Sequence, residues 1–181
     1  LAAERYLRGR DLAAGGTGEA GLVMSRFPTR GTITTSPFGG GVTDSAAAGT
    51  ALACGMKTRN GRIAFHPETE TPLPTIAELA HARGMEVGVL STTPVDHATP
   101  AAYYAHVPSR YLYADILKQL AACDLDVAAG YGALGLKTKQ GEQDRTPLQA
   151  ARRNGFTIVE TPGAFRALEA GDGRVVSIAC V

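Results

Sequence analysis

From Thr75 onwards the chain alternates between stretches of helical period and short apolar runs, and few folds accept that alternation. Thr75–Arg83 reads as a helix closed by Gly84, Glu86–Thr92 as a largely apolar strand, Tyr111–Ala122 as a helix and Val127–Ala129 as a short strand. Thr146 and Pro147 open another helix as N-cap and first residue, Asn154-Gly155 stops it, and Phe156–Glu160 is the next strand. A helix over Gly163–Ala170 leads into a last apolar strand, Val175–Val181. Short links between such elements favour right-handed β–α–β crossovers. The expected fold class is therefore α/β, with a mostly parallel sheet and helices on both faces.

The upstream part is less regular. Leu1–Leu12 has near-helical spacing and a glycine-rich turn over Ala13–Gly21 ends it. Gly31–Ser36, rich in β-branched residues, predicts a strand. Pro37-Phe38-Gly39-Gly40-Gly41 is a run that no regular element accepts, and it signals close backbone approach. Ser45–Cys54 is almost entirely small residues, with Gly55 placed as a C-cap, which predicts a short helix with Asp44 and Ser45 at its start.

A length of 181 residues fits one domain, expected here to span 1–181, with no repeat and no low-complexity linker. Eighteen basic against seventeen acidic residues leave a formal charge of +1, with no basic run beyond Arg152-Arg153. That balance offers nothing to nucleic acid or to a membrane surface. No run reaches the roughly 18 apolar residues of a membrane span, and Leu1-Ala2-Ala3-Glu4-Arg5 is not laid out as a signal peptide. The chain opens inside helical spacing and closes on an apolar run, so both ends are expected to be cut. Cys54, Cys123 and Cys180 are odd in number and far apart, and are expected to be small buried residues.

The chemistry centres on Thr43-Asp44-Ser45-Ala46-Ala47. A serine at a helix N-terminus meets unpaired backbone N–H groups and the positive end of the helix dipole, which favour an anion such as phosphate. A serine hydroxyl attacks phosphorus only when a base or a metal ion stabilises its alkoxide. No Gly-x-Ser-x-Gly elbow surrounds Ser45, which disfavours an esterase. Read alone, the tripeptide is better explained as a plain helix N-cap. Gly49–Thr58 has the wrong spacing for a nucleotide-binding loop, since Met56 separates Gly55 from Lys57.

The longer pattern is more specific. Val42-Thr43-Asp44-Ser45-Ala46-Ala47-Ala48-Gly49-Thr50-Ala51, followed by Gly55-Met56-Lys57-Thr58-Arg59-Asn60-Gly61, resembles the nucleophile segment of the alkaline phosphatase family. Val87–Thr93, His97-Ala98-Thr99-Pro100-Ala101, Ala105-His106-Val107 and Ser109-Arg110 resemble a second stretch of that family in order and spacing. Asp126–Gly132 and Ala151–Val159 fit more loosely.

The resemblance implies hydrolysis of small phosphate monoesters, with Ser45 as the nucleophile that forms a phosphoseryl intermediate and also touches zinc. It implies Arg110 as a clamp on two phosphate oxygens, a role suited to its planar fork, with Asp44 orienting it through a salt bridge. It further implies Thr99 as a hydroxyl ligand of magnesium and His97 beside that magnesium site. Two zinc ions and one magnesium are the implied cofactors, a homodimer the implied assembly, and the periplasm or secretion the implied setting. The family's remaining metal ligands have no counterpart in the chain, so it is expected to be an N-terminal-half fragment with little activity alone. His66, His81 and His106 match no family ligand. Two other readings stand beside this one: a non-catalytic fragment that binds anions or a partner, and a related phosphodiesterase. A sulfatase would need a Cys or Ser followed closely by Pro and Arg, which Asp44-Ser45-Ala46 lacks.

Overall fold

A computed structural model describes residues 2–17, 22, 26–29, 31–137, 143–169 and 171–179. The chain separates into two compact units, 1–34 and 35–181. The first carries helix α1 (Ala2–Ala13), closed by a turn in which Ala14 N–H donates to the Arg10 carbonyl at 3.1 Å and Gly15 takes φ +82°. The expected turn extends over residues 18–21, which lie outside the described residues.

The strand expected over Gly31–Ser36 does not form. β-branched residues favour extended backbone, but a strand needs a partner to take its N–H and C=O groups. Here no ladder is made and Ile33 stands exposed.

In the second unit, α2 (Ser45–Cys54) starts where Asp44 Oδ1 accepts the Ala47 N–H at 2.9 Å, and ends at Gly55, φ +68°, whose N–H caps the Ala51 carbonyl at 3.1 Å. Its small residues serve packing: a Cβ at Gly49 would stand 3.0 Å from the Ala102 Cβ just past α4 (Ala98–Ala101). Helix α3 (Ile76–His81) carries a capping box, with Glu78 N–H on Thr75 Oγ1 and Thr75 N–H on Glu78 Oε2.

Strands β1 (Gly88–Leu90), β2 (Val127–Ala129), β3 (Phe156–Val159) and β4 (Arg174–Ser177) form one all-parallel sheet in the order β1-β2-β4-β3. Helices α5 (Tyr113–Ala122), α6 (Thr146–Arg153) and α7 (Pro162–Arg166) lie between the strands in sequence, so the α/β class is the one found. β1 is shorter than the run Glu86–Thr92, and just ahead of it the Asp126 carboxylate takes the Val87 N–H at 2.7 Å. The last strand stops at Ser177; Cys180 and Val181, like Ala170 of the expected helix Gly163–Ala170, lie outside the described residues.

Register explains the core. Val89, Ala128, Val176 and Ile158 stand side by side across the sheet and therefore share a face. They join one cluster with Ile116, Leu117 and Leu120 of α5 and Leu148 and Ala151 of α6. Each buried Leu or Ile contributes about 1.5–3 kcal/mol. Val159, Val175 and Ala179 pack separately with Leu168. Parallel strands all point their carboxyl ends one way, and the loop after β1 runs straight into Asp96 and His97.

Cys54 and Cys123 are free and partly buried. Burial pushes the Cys54 thiol up to about 11, and raises that of Cys123, so both stay protonated at neutral pH.

Candidate active site

Four of the five residues singled out in the sequence meet at the N-terminus of α2. Arg110 Nη1 donates to Ser45 Oγ at 2.9 Å and to Asp44 Oδ2 at 3.2 Å, and Nη2 contacts His97 Nε2 at 3.1 Å. The guanidinium is positively charged and has only donors, so His97 Nε2 accepts and the ring's proton in its neutral form sits on Nδ1. Burial first, and then the Arg110 charge, hold the His97 imidazole below its ordinary range, while Asp96 pulls the other way. His97 Nδ1 and Arg110 Nε are both buried and find no hydrogen-bond partner among the described residues.

Arg110 reaches Ser45 across 65 residues of sequence because of two long-range backbone contacts. Ile63 and Val107 exchange backbone hydrogen bonds at 3.0 and 3.1 Å in an antiparallel bridge. Three residues further on, Arg110 N–H donates to the Gly61 carbonyl at 2.7 Å. Gly61, φ +83°, in turn gives its N–H to Asp44 Oδ2 at 2.9 Å. Asn60 completes the brace by accepting the Asp44 N–H and donating to the Val42 carbonyl, both at 2.9 Å. The Asp44 carboxylate thus accepts from the helix, from the Asn-Gly turn and from the arginine at once.

Sequence reasoning quoted Asn60-Gly61 without giving it a role. Its signal was the Asn-Gly dipeptide itself, a turn former whose glycine tolerates positive φ. Asp96 was missed entirely. It is fully buried and accepts the N–H groups of Leu134 and Gly135 at 2.8 and 2.6 Å, which ties the His97 loop to the 3₁₀ turn Leu134–Leu136. Burial raises its carboxyl above the ordinary range, against those two N–H groups.

Thr99 is placed differently. It is exposed on α4, lines a cavity of about 300 Å³ with Ser91, Pro100 and Tyr103, and hydrogen-bonds to none of Asp44, Ser45 and Arg110. The other histidines serve the scaffold. His66 Nδ1 accepts the N–H groups of Glu68 and Thr69, and His106 bridges Glu78 Oε1 at 2.8 Å and the Ala64 carbonyl at 3.2 Å. His81 lines a cavity beside Glu78 and His106.

Among the described residues no three His, Cys, Asp or Glu side chains gather closely enough to hold a metal ion. His97 Nε2 is taken by Arg110. The described side chains do not make up a metal site by themselves. A guanidinium and a helix N-terminus converge on a serine hydroxyl, and both are groups that favour an anion.

Known proteins carry the same segment. Over 125 residues the chain is 38% identical to streptomycin-6-phosphate phosphatase of Streptomyces griseus, which covers 69% of this chain and 27% of that protein. The cold-active alkaline phosphatase of a psychrophilic Shewanella superposes with a TM-score of 0.76 at 31% identity, covering 98% of this chain and 42% of that one. The alkaline phosphatase of the Antarctic bacterium TAB5 does so with a TM-score of 0.74 at 29% identity, covering 96% and 50%. A variant of the TAB5 enzyme holds magnesium in its M3 site, and the family is metal-dependent. The chain therefore spans between about a quarter and a half of the length of these proteins. The alkaline phosphatase family model matches residues 1–156, and the chain belongs to the alkaline phosphatase family.

Proposed function

We propose that this chain carries the nucleophile and phosphate clamp of a phosphomonoesterase. The observation that supports it most is one guanidinium bonded to both Ser45 Oγ and the Asp44 carboxylate at the start of α2. Ser45 Oγ attacks the phosphorus of a small phosphate monoester. The bond from phosphorus to the ester oxygen breaks, the alcohol leaves with a proton, and a phosphoseryl intermediate remains. Water then attacks phosphorus, the Ser45 oxygen departs, and inorganic phosphate is released. Arg110 holds two of the non-bridging oxygens throughout. Asp44 keeps the guanidinium in place, and the α2 N-terminus stabilises the growing negative charge.

The metal roles follow the family likeness and concern sites that other residues complete: the Ser45 hydroxyl at zinc, the Thr99 hydroxyl at magnesium, and His97 beside the magnesium. Two zinc ions, one magnesium, a homodimer and a periplasmic or secreted setting belong to the same reading. Residues 1–181 then make one α/β domain that is the N-terminal half of a larger phosphatase domain, weak or inactive alone. No helix among the described residues is long and apolar enough to cross a membrane.

The test is hydrolysis of p-nitrophenyl phosphate at alkaline pH with zinc and magnesium, by this chain alone and mixed with a polypeptide supplying the rest of a family member. Turnover in the mixture, lost in Ser45→Ala, and one phosphoryl group on Ser45 after acid quench are expected. Turnover that survives Ser45→Ala would refute the nucleophile.

A further inference from the structure

The phosphate clamp has an aromatic neighbour to which nothing above gives a task. Tyr111 follows Arg110 directly, and the Arg110 Cζ lies 5.9 Å from the centre of its ring. The ring is 72% exposed, among the most exposed large side chains in the chain. It is nevertheless held. Tyr113, the first residue of α5, meets it edge to face at 82° with centroids 6.4 Å apart, and Tyr113 itself packs against the main core. An aromatic ring braced between a guanidinium and a second ring, and still open to water, is a preformed surface for another flat apolar group.

Its place decides which group. The guanidinium beside the ring is the one bonded to Ser45 Oγ at 2.9 Å, so a phosphate clamped by Arg110 lies next to Tyr111. The substituent on the ester oxygen begins one bond from that phosphorus. Further upstream of Ser45, Gly39, Gly40 and Gly41 carry no side chains, and a Cβ at Gly40 or Gly41 would meet nothing within 4 Å, while Val42 between them and the serine stands exposed.

We propose that Tyr111, braced by Tyr113, is a specificity-determining residue that stacks on the leaving group, so that aromatic phosphomonoesters are bound in preference to small alkyl ones. This rests on the phosphomonoesterase reading and narrows its substrate class. One exposed ring-on-ring contact corresponds to a preference of roughly three- to tenfold.

The test is calorimetric binding of phenylphosphonate and methylphosphonate, whose P–C bonds resist hydrolysis, to the 181-residue chain and to Tyr111→Ala, Tyr111→Phe and Arg110→Ala. Phenylphosphonate is expected to bind about three- to tenfold more tightly than methylphosphonate. Tyr111→Ala should bring that ratio close to one, Tyr111→Phe should keep it, and Arg110→Ala should weaken both ligands. A ratio unchanged in Tyr111→Ala overturns the stacking role. Equal weakening of both ligands in Tyr111→Ala also overturns it, and makes the ring a prop for the guanidinium. Binding that is insensitive to Arg110→Ala, or no binding of either ligand, overturns Arg110 as the phosphate clamp of this chain and the stacking role with it.

Discussion

Replacing Asp44 should destabilise the fold in a graded way that depends on how many acceptors the new side chain keeps. Oδ1 accepts the Ala47 N–H, and Oδ2 accepts both the Gly61 N–H and Arg110 Nη1. Loss of the helix cap costs about 1 kcal/mol. Leaving the part-buried Gly61 N–H without its acceptor costs about 1.5 kcal/mol. The ion pair, long at 3.2 Å, adds about 0.5 kcal/mol. Asp44→Ala should therefore lose about 3 kcal/mol.

Asp44→Ser keeps only the cap and should lose about 2 kcal/mol. Asp44→Asn is the sharper probe, because an amide has one acceptor oxygen where the carboxylate has two. With the oxygen toward Ala47, the NH₂ group faces the Gly61 N–H and the guanidinium. Turned round, it faces the helix N–H groups instead. It too should lose about 2 kcal/mol despite its near-identical shape. Urea unfolding followed by far-ultraviolet circular dichroism reads these differences as midpoint shifts, and a cycle with Arg110→Ala should return about 0.5 kcal/mol of coupling. Asn equal in stability to the parent, or Ala costing under about 1 kcal/mol, would refute the three-way carboxylate brace.

Other outcomes follow from individual contacts. Gly130→Ala would place a Cβ 2.6 Å from the Val95 nitrogen and 2.7 Å from the Thr93 carbonyl oxygen, both backbone; a loss of at least about 2 kcal/mol in urea unfolding is expected. Gly49→Ala meets the Ala102 methyl at 3.0 Å, with the Ala98 carbonyl oxygen and Thr99 Cα at an ordinary 3.6 Å, and should cost about 1 kcal/mol in the same assay. Asp96 has a folded-state carboxyl raised by burial, so its contribution is fully present below the unfolded pKa and is lost as pH rises through the raised one. Asp96→Asn should flatten that part of the stability–pH profile, and an unchanged profile would refute the assignment. Cys54, its thiol held near 11, should resist iodoacetamide at pH 8 in the native chain and react in urea, as read by peptide mass mapping.

The parts of this fold that could be read in the sequence are those whose causes lie within a few residues. Helix α2 was legible because its cap, its small residues and its terminal Gly55 are all local. The C-terminal end of α6 was legible through Asn154-Gly155 for the same reason, while its start lies one residue earlier than expected, with Arg145 at the N-cap and Thr146 already helical. The parallel sheet was legible as a class from alternating periods. Its strand lengths were not: ahead of β1, for example, the Val87 N–H goes to a carboxylate 39 residues away, a contact that no local signal announces. Gly31–Ser36 failed in the opposite sense: its local preference is extended, but among the described residues no strand pairs with it.

The site divides along the same line. Asp44 and Ser45 sit on one local element, so a helix N-terminus with an anion preference could be foreseen from residue types alone. The junction with Arg110 depends on the Ile63–Val107 bridge and on the Gly61 carbonyl, contacts that no spacing rule encodes. What made that junction expected was the order of two long motifs. What makes it physical is that one carboxylate accepts from three segments that are far apart in sequence. Because the same oxygen serves Gly61 and Arg110, the position of the guanidinium is set by backbone geometry as well as by charge. A lysine at 110 could keep the ion pair, but it lacks the fork that spans Ser45 and His97 together.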